Sequence, residues 1–270
     1  MGRKDWSDDK LLFRALNNKT EAGYWENIHA LRMRPSQLLF EKCKQLINSK
    51  EQKNKKAGID ILAQLGASER PFLQETIRIY FDLLESETDS IILGSLLYAI
   101  GHNNTQLNQT QISKLCEFYE KNDDVIKNGL IFALGLIDTS STIDVLVKLS
   151  EDQDNANRDW ATFYIGESKR NNKKIREALW RRVKDRHFNT RLEAIMGLAK
   201  RNDERIKDVI KDEIKKGHST AGLFDAILAL NDVQFLPLLQ NELESVRDSN
   251  DNSYWKLCLE QCIVGLSRLK

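Results

Sequence analysis

The eleven residues NRDWATFYIGE, Asn157 to Glu167, decide how the rest of the chain is read. Arg158, Asp159, Trp160 and the Phe163-Tyr164 pair would suit a reaction site or a recognition surface. Ala161, Ile165 and Gly166 instead mark an apolar stripe that closes on a small residue. The same rhythm recurs in AGIDILAQLG (Ala57 to Gly66), ILGSLLYAIG (Ile92 to Gly101), KNGLIFALG (Lys127 to Gly135), TRLEAIMGLA (Thr190 to Ala199) and GLFDAILALN (Gly222 to Asn231). With Gly265, the closing residues Gly66, Gly101, Gly135, Gly166, Ala199, Asn231 and Gly265 lie 35, 34, 31, 33, 32 and 34 apart. A period near 33 residues held over two hundred positions identifies a repeat protein.

Between these landmarks runs a second amphipathic segment, as in PFLQETIRIYFDLLES, QISKLCEFYEKN, TIDVLVKLSED, KKIREALWRRVKD, ERIKDVIKDEIKK and VQFLPLLQNELESV. Apolar residues fall at helical spacing in each, and no stretch alternates with period two. Ser68, Asp123-Asp124, Thr139-Ser140-Ser141 and Asn202-Asp203 supply start and stop signals. Helices are expected over Ser7–Leu16, Glu21–Arg34 and Ser36–Ile47 as less regular N-terminal capping elements (1–50). Regular repeats follow over 51–250, then a C-terminal capping helix over 251–270. One helix hairpin cannot bury its own apolar faces, so the hairpins must stack and share a core. The expected fold is all-α: a right-handed α-solenoid of seven to eight antiparallel helix pairs in one stacked domain.

The second helix of the best-matched repeats has the form R-x-x-A-x-x-x-x-G, whereas the N-terminal repeats lack the Arg. Arg158, Ala161 and Gly166 match it, and so do Arg191 and Ala194 in the next repeat, with Ala199 in place of Gly. In this the chain resembles short HEAT repeats of the bacterial kind, most sharply over about Asp152 to Asp203. That family is of armadillo-like folds, chiefly binding scaffolds with a minority of enzymes. The resemblance implies that Ala161 and Ile165 face the core and that Gly166 ends its helix. It implies too that Arg158 reaches acidic groups of the next turn, while Asp159 faces the positive end of the helix dipole.

The 270 residues carry a net charge of +1, which hides segregation along the chain. The balance is +6 over 1–56, −10 over 57–154, +8 over 155–217 and −3 over 218–270. The third block, with Lys169, Arg170, Lys173, Lys174, Arg181 and Arg182, is expected to attract an acidic partner. Trp160 is bulky where sister repeats carry Glu193 or Ile131, and Trp is enriched at binding hot spots. The expected partner site is therefore Arg158, Asp159, Trp160, Thr162, Arg191, Glu193 and Arg201, on the row of second helices. The expected function is a non-enzymatic adaptor for a protein partner.

The alternative is nucleic-acid binding through the basic band, as in the HEAT-like alkylpurine DNA glycosylases. Asp159-Trp160 supplies the residue types of such a site, but neighbours in a helix point about 100° apart. HEAT-repeat hydroxylases hold iron through His-Glu pairs, whereas His29, His102, His187 and His218 precede Ala30, Asn103, Phe188 and Ser219. No phosphate loop, nucleophile elbow or zinc spacing appears, and neither metal nor cofactor is expected. Cys43, Cys116, Cys258 and Cys262 form no C-x-x-C pair and read as reduced thiols of a cytoplasmic protein. No apolar run is long enough for a membrane helix, and Trp6 stands where a myristoylation signal needs Ser or Thr. Tyr254 and Trp255 are expected to seal the last repeat.

Overall fold

A computed structural model describes residues 2–245 and 254–268; parts of the expected 51–250 and 251–270 segments lie outside the described residues. The described residues form sixteen α-helices and short 3₁₀ turns, with no strand among them. They group into two compact units, Met1–Thr142 and Ile143–Lys270. The first holds α1 (Asp8–Leu16), α2 (Glu21–Arg32), α3 (Gln37–Ile47), α4 (Gln52–Leu62), α5 (Leu73–Ser86), α6 (Ser90–Gly101), α7 (Gln109–Glu117) and α8 (Asp124–Leu134). Helix α9 (Ser140–Leu149) begins at the boundary. The second unit continues with α10 (Asn155–Glu167), α11 (Lys173–Arg182), α12 (Phe188–Ala199), α13 (Ile206–Lys215), α14 (Ala221–Leu230), α15 (Leu236–Ser245) and α16 (Tyr254–Ser267).

Helix starts are set by their capping chemistry. Ser7 and Ser36, expected inside helices, stand just before them, and their hydroxyls accept from the backbone of Lys10 and Leu39. Asp89, Asp123 and Asp154 cap α6, α8 and α10 in the same way. Asp159 is thus not the group at the start of α10; it lies one turn inside the helix. Helix α2 ends at Arg32, two residues before the expected Arg34.

Within each unit the second helices pack side by side. In the first unit α2, α4, α6 and α8 form one row; in the second α10, α12, α14 and α16 do. Tyr80, Phe40, Leu39 and Ile59 are fully buried in the first core, and Ala161, Ile165, Leu198, Phe224 and Leu259 in the second. Trp255 does seal the last repeat, its indole N–H donating to Ser219 O at 2.8 Å, whereas Tyr254 is 74% exposed and seals nothing.

The landmark residues close their helices by different means. Asn231, with φ +54°, ends α14 in the left-handed region, whereas Gly66, with φ +88°, lies in the turns beyond α4, which ends at Leu62. Gly166 does not end α10, which runs on to Glu167. It lies where α12 crosses, and the glycine that the crossing requires is Gly197: a Cβ there would lie 2.9 Å from the Gly166 Cα and 3.0 Å from both methyls of Leu179, whereas a Cβ on Gly166 would come no nearer than 3.4 Å to α12. Since neither backbone can yield cheaply, Gly197→Ala should destabilise the protein by about 1–3 kcal/mol. A urea-unfolding midpoint equal to wild type would show that the crossing relaxes freely.

Candidate functional site

Arg158 sits near the start of the Asn157–Glu167 stretch, and burial there is nearly complete, at 4% exposure. Its Nε and Nη2 grip the Asp185 carboxylate at 3.0 Å each, 27 residues ahead in the next repeat. Nη1 donates to the carbonyls of Asp152 and Gln153, and Nη2 also to Asn155 Oδ1. These contacts engage all five N–H donors of a guanidinium. Thr162 is fully buried and donates to Arg158 O. Arg201, 7% exposed, donates to Ile165, Gly166, Ser168 and Gly197 carbonyls, closing the C-terminal end of α10. The fold therefore places Arg158, Thr162 and Arg201 in the interior, where they position the surface residues.

Burial pushes the Asp185 carboxyl upward, but hydrogen bonds from Arg158 and the His187 amide, with the charges of Arg158 and Arg182, outweigh it and hold the group below the usual range. Arg191 joins the same node: it donates to Asp185 O at 3.0 Å, pairs with Glu213 at 3.6 Å and lies over the Phe188 ring.

On the outer side of α10 and α12 stand Asp159, Trp160 and Glu193. Trp160 is 52% exposed, with its ring edge-on to Phe163 at 5.8 Å and tilted to Tyr164 at 6.4 Å. Burial raises the Asp159 carboxyl, His187 opposing and Asp185 reinforcing the shift, and its Oδ1 is buried without a hydrogen-bond partner. Glu193 is pushed up to about 7 by burial and by the charges of Asp159 and Glu167. This side of the second-helix row thus combines aromatic surface with carboxylates that ionise reluctantly.

The basic band is largely engaged in pairs. Lys174 meets Asp144 at 2.5 Å, Arg181 meets Glu151 at 2.7 Å, Arg182 meets Asp185 at 3.1 Å and Lys173 faces Glu177 at 3.7 Å. Asp144 and Glu151 belong to the acidic block, so adjacent blocks neutralise each other across neighbouring first helices. Arg170 gives its carbonyl to Arg201, and Lys169 remains exposed. Trp180, the aromatic residue within the band, is tied to Asp203 through its N–H and lies under the Arg205 guanidinium.

The first unit holds a feature that the charge pattern concealed. Helix α6 contains no charged residue, and its outward stripe of Ile91, Ser95, Tyr98 and then His102 borders a groove of about 340 Å³. Arg32, Asp60 and Lys56 form its polar end: Arg32 donates twice to Asp60 O, and Lys56 and the Tyr24 hydroxyl meet the Asp60 carboxylate at 2.5 and 2.6 Å. Burial, with Arg32 and Arg70 nearby, lowers His102 to about 4, so it is neutral near pH 7. The legible signal was the 3.6-residue periodicity of Ile91, Tyr98 and His102 on the face that the core does not use.

Among the described residues no group of three or more His, Cys, Asp or Glu could hold a metal ion, and no helix is long and apolar enough to cross a membrane. Cys43 and Cys262 are buried, and burial, with Asp8 and Asp225 respectively adding to it, pushes both thiols up to about 12.

Removing one member of the Arg158–Asp185 pair strands the other in the interior. Arg158→Ala should therefore cost about 3–5 kcal/mol by denaturant unfolding; a cost below about 1 kcal/mol would mean that the pair carries no buried charge. Glu193 gives a pH test of opposite sense. Its folded pKa lies above the ordinary value of 4.5, so its ionisation opposes folding, and stability falls as the pH rises from about 4.5 to about 7. Glu193→Gln should gain stability over wild type between about pH 5 and pH 8, by on the order of 1 kcal/mol for so partly exposed a group. A pH-independent difference would refute that environment.

No family model matches the chain. Protein YibA of Escherichia coli, from strain K12 and from O157:H7, is 32% identical over 124 residues, which cover 46% of this chain and 44% of those proteins. The sequence match thus spans less than half the length of the curated relatives. The X-ray structure of Escherichia coli YibA superposes with a TM-score of 0.73 over 98% of this chain and 94% of that one, at 23% identity. The chain is homologous to YibA over the matched region, and its fold is that of an all-helical repeat protein.

Proposed function

We propose that the chain is a HEAT-like scaffold, not itself an enzyme, that binds a protein partner through its second helices. The exposure of Trp160 carries this reading. A large aromatic side chain is held half in solvent on a helix whose other side is locked by Arg158, Thr162 and Arg201. Rigid aromatic surface of this kind loses little entropy on binding and is typical of interface hot spots. Asp159, Glu193 and Arg191 flank it and supply the polar rim, while Arg158, Thr162 and Arg201 act by holding α10 and α12 in place. The buried, protonated thiols Cys43 and Cys262 suit a reducing cytoplasm.

Affinity capture from extracts of the source cells at low salt, with and without nuclease, tests this function. A protein retained after nuclease treatment should be bound at least tenfold more weakly by Trp160→Ala, with the melting temperature unchanged. Recovery of nucleic acid alone would favour the exposed lysines of the basic band, and capture indifferent to Trp160→Ala would remove this surface from the interaction.

A further inference from the structure

The groove over α4, α6 and α8 has an unusual surface for a face turned to solvent. Ile91 is 47% exposed, Tyr98 42% and Val125 47%, and all three border the same groove. Its floor is built closely, since Gly94 lets Val125 approach α6: a Cβ there would lie 2.7 Å from a Val125 methyl. Trp25 and Lys56 line this groove and also line a second cleft, of about 480 Å³. That second cleft carries Lys19, Lys53 and Lys56 against a single carboxylate, Glu21. Lys56 is already held by Asp60, whereas Lys19 and Lys53 are exposed and make no ion pair among the described residues. Apolar and cationic surfaces therefore adjoin across one tryptophan, within one compact unit.

We infer that this surface docks a peptide segment of another protein, placing an apolar side chain between Ile91, Tyr98 and Val125 and acidic residues across Trp25 against Lys53 and Lys19. The apolar groove supplies affinity by burial. The lysines supply direction, because a segment carrying cations would meet uncompensated like charge at that end. His102, neutral and linked through Gln64 to Arg32, adds no charge to compete for the acidic residues. The inference is independent of the Trp160 surface, which lies in the other unit.

Selection of a random twelve-residue displayed peptide library on the full chain tests it directly. Enriched peptides should pair an apolar anchor with flanking Asp or Glu. A synthetic peptide of the enriched sequence should bind at least tenfold more tightly than its twin with Lys in place of each acidic residue. Val125→Glu should weaken that binding at least tenfold, and Lys53→Glu should erase the preference between the twins. Lys53 is exposed and Val125 half-exposed, and binding measured below the melting temperature of each variant separates lost docking from lost folding. The inference is overturned by no enrichment, by twins of equal affinity, or by binding that survives Val125→Glu. It is equally overturned if wild type self-associates and Val125→Glu abolishes this, since the occupant would then be a second copy of this chain.

Discussion

Every α-helix ends in carbonyl groups that its own backbone cannot satisfy, and in a stack of helices many of those ends are buried. This structure meets that constraint with side chains borrowed from one repeat away. Arg32 reaches the Asp60 carbonyl in α4. Asn103 donates to Ala63 O as well as to Ala99 O, Asn104 to Ala133 O and Gly135 O, and Arg201 to Ile165 O and Gly166 O. Each such bond satisfies an orphan acceptor and fixes the register between neighbouring hairpins, so the apolar faces of the second helices meet in one arrangement. A cation at a helix C-terminus is also favoured by the helix dipole.

Pairing across repeats governs the remaining charge as well. Ion pairs about one repeat apart recur along the first helices, as between Lys44 and Glu75, Lys114 and Glu85, and Lys174 and Asp144. Most are solvent-screened and worth little energy singly. Their effect is to pair part of the charge that the sequence displays in blocks. What remains available lies mainly on the second helices, as the uncharged stripe of α6 in one unit and the aromatic and carboxylate surface around Trp160 in the other. Recognition by such surfaces depends on shape and burial more than on long-range attraction, which sets them apart from a phosphate-binding groove.

Glu193 and Asp159 are carboxylates drawn to a partly dry surface without full pairing. Both are pushed toward the protonated form, at a cost to stability when ionised. A folded chain tolerates such groups most readily where they serve an interface.

The sequence by itself determined the helices, their pairing into hairpins and the period near 33 residues, because apolar periodicity and capping residues are local and each repeat states them again. It also pointed to a link from Arg158 to an acidic neighbour, through the recurrence of Arg191. Tertiary structure alone decided that Arg158, Thr162 and Arg201 lie inside, because burial depends on what packs above a residue and not on its type. It decided that Gly166 stands at a helix crossing and not at a helix end, and that the missing Cβ is required of Gly197, since only the packed helix α10 and Leu179 fill the space a Cβ there would take. It decided, finally, that many side chains of the basic band are engaged in ion pairs while the apolar stripe of α6 stays open. Net charge along a chain is a linear sum, but the field that a partner meets depends on which charges the fold brings face to face.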